Sequence, residues 1–234
     1  MKETKSLACL LAIGTAAAVA IVQFRQLSPG HTRSAISDRG ETDQRTAPLS
    51  RAAVLLIVDK SGSMAGRNME LVKEACINTA NCLSPNDVIA VVGFDYNAIL
   101  VLDFTAADRS GHIEQRIRRL LASGGTRIYP ALALALRIFE DDPHARQSAA
   151  KHAILVSDGD APPADYETVV RKMTGEGVTL STICFPGPRF DAVLMSQIAS
   201  WGKGRFKFTD NFNNVPQLIL NEVKQVLESL PKRD

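Results

Sequence analysis

Four short apolar runs, none with the polar alternation of a half-exposed strand, constrain the fold of this 234-residue chain. Runs of this kind are typical of strands that are covered on both faces, as in a parallel sheet. They lie at residues 53–59, 88–94, 153–157 and 179–185. A fifth run, 99–104, follows the second too closely for a helical crossover, so we expect it to be a hairpin partner and an antiparallel edge.

The segments between these runs carry apolar residues at helical spacing. Stripes at steps of three and four predict helices around residues 69–83, 113–121, 131–136, 166–173, 194–201 and 219–230. A short strand is expected near 205–209. Strands alternating with helices predict an α/β fold, a doubly wound, mostly parallel open sheet with one antiparallel edge strand and helices on both faces. In such folds ligands bind beyond the carboxyl ends of the strands, where the strand order reverses.

The N-terminal segment differs from the rest of the chain. Residues 7–22 contain no charged side chain and follow two lysines, so 1–24 is either a signal-anchor or a cleavable signal peptide. The apolar stretch is shorter than the roughly 20 residues that a spanning helix needs. Both interpretations place the following domain outside the cytoplasmic membrane, as a single-pass membrane protein or, after cleavage, as a secreted or periplasmic one.

The composition of the remaining residues separates a linker, a folded domain and a tail, and it argues against several classes of function. Residues 25–50 are polar and lack periodicity, which predicts a flexible linker, whereas 51–230 form the folded domain and 231–234 a tail. The chain has 27 Lys and Arg against 25 Asp and Glu, and the small surplus lies ahead of Arg51. A neutral domain argues against nucleic-acid binding. The four cysteines lack the spacing of a disulfide framework or a zinc site.

Carboxylates and hydroxyls follow two predicted strands and precede one predicted helix. The candidate metal ligands are Asp59, Ser61, Ser63, Thr126 and Asp158. Capping of helix N-termini accounts for one such residue in each loop, but not for five across three loops. A set of oxygen ligands prefers a hard cation, Mg²⁺ first and then Mn²⁺ or Ca²⁺. Because two carboxylates only balance the charge of the ion, we expect the metal to accept an Asp or Glu from a protein partner.

Three motifs in the same loops point to a known family. "DKSGSMAG", "SGGTRIYPAL" and "ILVSDGD" resemble, in this order, the von Willebrand factor type A domain and its metal-ion-dependent adhesion site (MIDAS), over about residues 51–230. The resemblance implies that the five candidate ligands surround one Mg²⁺, some through water. Stretches similar to "GGTxIYPAL" and "RFxFTD" occur in bacterial membrane-associated members. Their resemblance suggests an envelope complex or an AAA-type ATPase system as partner.

Enzymatic activity is the main alternative to protein binding. Around Ser63 the G-x-S-x-G pattern of a serine hydrolase fails, and no nucleotide-binding GxxxxGK[ST] loop is present. None of the four histidines is expected near the candidate ligands, and His152 begins a strand at the opposite end of the sheet. We therefore predict a cation-dependent adhesion or assembly module and no enzyme. A metal-dependent hydrolase and a structural module with an idle metal site remain the alternatives.

Three residues near the candidate ligands have two interpretations each, and a fourth has one. Asp95, after the second strand, is either a turn residue or a residue that supports the metal ligands. Arg127 and Tyr129 either select the partner or are an ordinary surface arginine and a packed tyrosine. Asp160 is expected to be a solvated neighbour of Asp158.

Overall fold

A computed structural model describes residues 52–187 and 190–230. In this part of the chain six strands form one sheet in the order β3-β2-β1-β4-β5-β6. The strands are β1 (Ala52–Asp59), β2 (Val88–Phe94), β3 (Ala98–Ala106), β4 (Ala150–Ser157), β5 (Val178–Cys184) and β6 (Lys203–Phe208). The pair β2 and β3 is antiparallel and the other neighbouring pairs are parallel. The predicted sheet with one antiparallel edge strand is confirmed.

Helices cover both faces of the sheet. They are α1 (Arg67–Cys82), α2 (Ser110–Ile117), α3 (Ile128–Asp141), α4 (Pro143–Gln147), α5 (Tyr166–Gly175), α6 (Ala192–Trp201) and α7 (Val215–Glu228). Successive residues of β1 point to opposite faces, so Leu55 and Ile57 join the core under α3, α5 and α6. Leu56 and Val58 join the core under α1, α2 and α7. Because both faces are buried, β1 has no polar alternation.

Several sequence-based boundaries differ from the structure; helix α2, for instance, ends at Ile117 and does not continue to residue 121. Helix α4 was not expected, because it has five residues and only Ala145 is buried, which leaves no apolar stripe to detect. The Asp142 side chain accepts a hydrogen bond from Ala145 N at 2.8 Å and caps this short helix. Strand β4 begins at Ala150 and β6 at Lys203, earlier than expected, because their first residues are partly or fully exposed and carry no apolar signal.

The predicted signal-anchor or signal peptide (1–24), the linker (25–50) and the tail (231–234) lie outside the described residues. Within 52–187 and 190–230, none of the helices combines the length and the apolar character needed to cross a bilayer.

Helix α7 is tied to the sheet by a buried carboxylate, Glu222, whose side chain is fully shielded from solvent. Its Oε1 accepts a hydrogen bond from Ser181 Oγ at 2.5 Å and forms an ion pair with Arg205 Nη2 at 2.8 Å, and its Oε2 accepts a hydrogen bond from Arg205 Nε at 3.0 Å. The buried His152 Nε2 lies 3.6 Å from Oε1. Burial by itself would raise the pKa of Glu222, but its contacts with His152, Arg205 and Ser181 outweigh burial and lower the pKa to about 2.

We expect Glu222 to make the domain less stable as the pH falls below about 4.5. Its folded pKa of about 2 lies below the ordinary value of 4.5, so its contribution is present above pH 4.5 and is lost as the pH falls toward 2. That shift corresponds to about 3 kcal/mol of unfolding free energy. Urea unfolding should be measured at a series of pH values. Between pH 4.5 and 2, the unfolding free energy of the wild type should fall by about 3 kcal/mol more than that of Glu222→Gln.

The matched control is Glu228→Gln, which changes an exposed glutamate on the same helix. Its unfolding free energy should follow that of the wild type at every pH. If the curves for Glu222→Gln and the wild type were parallel through this pH range, the proposed role of Glu222 would be wrong.

Candidate metal centre

Three loops meet at the carboxyl ends of β1 and β4, the two central strands. Strands β2 and β3 follow β1 on one side of this point, and the chain then returns to form β4 on the other side. They enclose an open cleft of about 740 Å³. The cleft is lined by Ser61, Gly62, Ser63, Tyr96, Gly124, Gly125, Thr126, Arg127, Asp158, Asp160, Ala161 and Pro162. A crevice at the point where strand order reverses is the expected ligand site of a doubly wound sheet.

Asp59 is the last residue of β1 and lies buried beneath the cleft, 1% exposed. Its Oδ1 accepts a hydrogen bond from Ser61 N at 2.7 Å, and its Oδ2 accepts one from Ser157 Oγ at 2.8 Å. Burial raises the pKa of Asp59 to about 6; hydrogen bonds from Ser61 and Ser157 oppose this increase, and the nearby Asp158 adds to it. The arrangement therefore favours a nearby cation, which would stabilise the ionised form of this carboxyl group.

The first loop turns the hydroxyls of Ser61 and Ser63 toward each other, with their Oγ atoms 3.0 Å apart. A 3₁₀ turn, Gly62–Met64, produces this spacing, and Met64 is anchored in the core with no solvent exposure. Two hydroxyls that share one side of a cleft can both contact a single small ion.

Two glycines let the second loop approach the first. Gly62 N donates a hydrogen bond to Gly124 O at 2.9 Å, and Gly124 has a φ of 72°, a left-handed conformation that favours glycine. At Gly125 a Cβ atom would lie 2.5 Å from the ring of Tyr96. The glycine pair therefore allows a close approach that places Thr126 on the wall of the cleft.

The third loop presents Asp158, which is 2% exposed and lines the cleft. Its Oδ1 accepts a hydrogen bond from Asp160 N at 3.1 Å. A Cβ atom at Gly187 would come within 2.0 Å of Asp158 Oδ2, so only glycine leaves room for this carboxylate.

The structure thus brings all five predicted ligands to one place. Ser61, Ser63, Thr126 and Asp158 line the cleft, and Asp59 lies below Ser61. Among the residues that the structure describes, no cluster of three or more His, Cys, Asp or Glu could hold a metal, so any ion here depends on the hydroxyls. Two carboxylates with several hydroxyls fit a hard cation.

Asp95 connects the loops that carry these residues. Its Oδ2 accepts hydrogen bonds from Lys60 Nζ and from Ser123 Oγ, and its Oδ1 accepts one from Asn97 N. Its backbone oxygen accepts from Arg127 N at 2.8 Å, and Ser123 N donates to Lys60 O at 2.7 Å. Asp95 is therefore a turn residue that also links the loops carrying the candidate ligands.

The roles of Lys60 and Tyr96 were not predicted from the sequence. Lys60 stands between two candidate ligands, and nothing in the sequence shows that its side chain turns inward, where it is 9% exposed, to pair with Asp95. Tyr96 is 57% exposed and its packing against Gly125 depends on a contact between distant loops. Tyr129, for which partner selection and packing were the two interpretations, is 41% exposed, and its ring meets that of Tyr166 edge-on at 6.3 Å.

We expect Asp95→Ala to destabilise the fold by about 2 kcal/mol, because it leaves the largely buried Lys60 ammonium without its carboxylate partner. The double variant Lys60→Met/Asp95→Ala removes both charges and should recover at least half of that loss. Urea unfolding of the wild type, Lys60→Met, Asp95→Ala and the double variant measures the coupling energy between the two side chains.

Asp108→Ala, at an exposed aspartate of the loop before α2, is the control and should change stability little. Equal unfolding free energies for Asp95→Ala and Asp108→Ala would contradict the role given to Asp95.

Comparison with known proteins agrees with this fold. The model of the von Willebrand factor type A domain matches residues 53–221. Protein sll0103 of Synechocystis sp. is 26% identical over 201 residues, 85% of this chain and 45% of that protein. A von Willebrand factor type A structure from Catenulispora acidiphila has a TM-score of 0.67 at 26% identity, over 76% of this chain and 43% of the other.

A third similar protein was solved with zinc bound in its own metal site. Proximal thread matrix protein 1 from the mussel byssus, with a zinc-occupied MIDAS motif, has a TM-score of 0.61 at 20% identity, over 76% of this chain and 46% of the other. At this identity the likeness shows the fold alone. This chain spans less than half the length of each of these three proteins. Because the family model matches most of the folded region, the chain belongs to the von Willebrand factor type A domain family.

Proposed function

We propose that this domain binds a protein partner through a divalent cation held by Asp59, Ser61, Ser63, Thr126 and Asp158. The observation that carries the proposal is the convergence of three distant loops on one cleft, with two buried carboxylates and paired serine hydroxyls. Bound there, Mg²⁺ would supply a Lewis-acidic position for an oxygen ligand. Mn²⁺ and Ca²⁺ are the alternatives that the oxygen ligands allow.

The properties of the cleft support an acidic protein ligand. Two carboxylates only balance a divalent charge, so an Asp or Glu of the partner is a suitable further ligand. Arg127 lies on the rim, where its positive charge favours an approaching carboxylate. We propose an envelope complex or an AAA-type ATPase system as the setting, and no nucleic acid, since the domain is neutral.

The N-terminal sequence supports a location outside the cytoplasm. We propose that residues 1–24 hold the domain at the cell membrane as a single-pass signal-anchor, with secretion or periplasmic release after cleavage as the alternative.

The functional groups that line the cleft favour protein binding over catalysis. Its lining supplies carboxylates, hydroxyls, a phenol and a guanidinium, and His152 lies at the other end of the sheet. Histidine is the most frequent general acid or base of hydrolases, and the described lining of the cleft contains none. We propose that the domain is not an enzyme.

Metal binding should depend on the buried carboxylates and on pH. Calorimetric titration with Mg²⁺, Mn²⁺, Ca²⁺ and Zn²⁺ should show one site in the wild type and at least tenfold weaker binding in Asp59→Ala and Asp158→Ala. Because the pKa of Asp59 is about 6, protons compete with the metal below that pH, and the affinity should fall by about tenfold per pH unit.

The control for this titration is Asp210→Ala, which alters an exposed carboxylate after β6. It should bind metal as the wild type does. Unchanged affinity in Asp59→Ala and Asp158→Ala would show that the ion binds elsewhere.

Partner binding should require the same metal. The full chain, immobilised and exposed to membrane and envelope extracts, should retain a specific protein in Mg²⁺ and release it on addition of a chelator. Asp59→Ala should lose that protein and Asp210→Ala should keep it. A folded Asp59→Ala protein that captured the partner equally well would refute the binding-site proposal.

A further inference from the structure

A second depression lies beside the metal cleft, between β3 and the segment that follows α2. This groove, called here the β3 groove, has a volume of about 330 Å³. It is lined by Lys60, Ile99, Leu100, Val101, Arg116, Arg119, Leu120, Leu121 and Ser123.

The β3 groove exposes a concentration of apolar side chains. Leu121 is 73% exposed, Ile99 48% and Leu100 38%, and these three line one continuous depression. Scattered exposed leucines are ordinary, but a contiguous apolar patch in a groove is typical of a binding surface.

Two arginines give the groove a positive charge. Within the described ranges, neither the Arg116 nor the Arg119 guanidinium forms an ion pair. Arg116 Nε donates a hydrogen bond to the Val101 carbonyl at 2.9 Å. The nearby carboxylate, Glu114, pairs with Arg118. The Lys60 ammonium is already paired with Asp95. Apolar side chains beside unpaired arginines complement a segment that carries both apolar and acidic residues.

The backbone of β3 argues against simple addition of another strand. The Val101 carbonyl is occupied by Arg116, and Phe104 N donates to the Asp103 side chain at 2.9 Å. The pairing of β3 with β2 is also irregular near Val101. Edges modified in this way resist strand pairing, so an occupant of the groove would be recognised through its side chains.

The β3 groove adjoins the metal cleft across the Lys60, Asp95 and Ser123 network. Lys60 lines the groove and the next residue, Ser61, lines the cleft. Ser123 likewise lines the groove, and Gly124 lines the cleft. One extended segment can therefore occupy both depressions.

We propose that the β3 groove docks a segment of the same protein partner, composed of apolar and acidic residues, next to the carboxylate that binds the metal. The inference rests on the proposed function, because it extends the binding surface around that ion. The metal selects a carboxylate, and the groove selects the residues adjacent to it.

Fluorescein-labelled synthetic peptides test this docking with the full chain. Each probe contains one aspartate, a Gly-Ser spacer of varied length and a segment of alternating Leu and Glu. Matched probes carry Ser in place of Leu, or Lys in place of Glu. In saturating Mg²⁺, the best Leu-Glu probe should bind about tenfold more tightly than either matched probe.

Substitutions in the groove should remove this preference. Leu121→Ser should abolish the advantage of Leu over Ser, and Arg119→Glu should reverse the preference between Glu and Lys. Val193→Ser and Lys172→Glu alter exposed positions on α6 and α5, away from β3, and should leave both preferences intact. All four positions are exposed, so folding should be retained.

The outcomes separate this inference from the metal proposal. If Leu121→Ser and Val193→Ser behave alike, or if the matched probes bind equally, the groove proposal is overturned. If groove preferences persist while chelator and Asp59→Ala have no effect, the groove stands and the metal proposal fails. Light scattering could instead show that the wild type is a dimer and that Leu121→Ser is a monomer. If that dimer also failed to bind the probes, the groove would be a self-interface and the proposal would be overturned.

Discussion

The candidate metal centre depends on a carboxylate held below the surface at the end of a central strand. Asp59 is hydrogen-bonded to the loop that follows it through Ser61 and to the end of β4 through Ser157. The same carboxyl group therefore sets the position of two of the three loops. Its burial raises its pKa to about 6, so the arrangement that organises the loops also favours a nearby positive charge.

Close backbone approach and one polar network position the remaining loop. Gly124 and Gly125 allow contacts that a side chain would block, and Asp95 joins the first and second loops to the turn after β2. The network also forms the boundary between the metal cleft and the β3 groove, because Lys60 and Ser123 belong to both the network and the groove. The surface available to a partner thus extends beyond the ion itself.

Much of the fold could be predicted because burial on both faces produces continuous apolar runs, and burial on one face produces helical stripes. Helix α4 and the first residues of β4 and β6 were missed because exposed or very short elements carry no such pattern. The five candidate ligands were recognisable because carboxylates and hydroxyls follow the ends of strands. Lys60 and Tyr96 were not, since their contacts join residues far apart in the chain.

Residue type and local spacing are properties of the sequence alone. They determined the class of fold, the strand ends where polar residues gather, and the fact that the candidate ligands are oxygen atoms that suit a hard cation. Only the tertiary structure decided which side chains are buried, how Lys60 and Asp95 pair, and that exposed leucine and isoleucine side chains share one groove with Arg116 and Arg119 beside the cleft. These features depend on distances between segments that are remote in sequence, and such distances exist only after the sheet and its helices have packed.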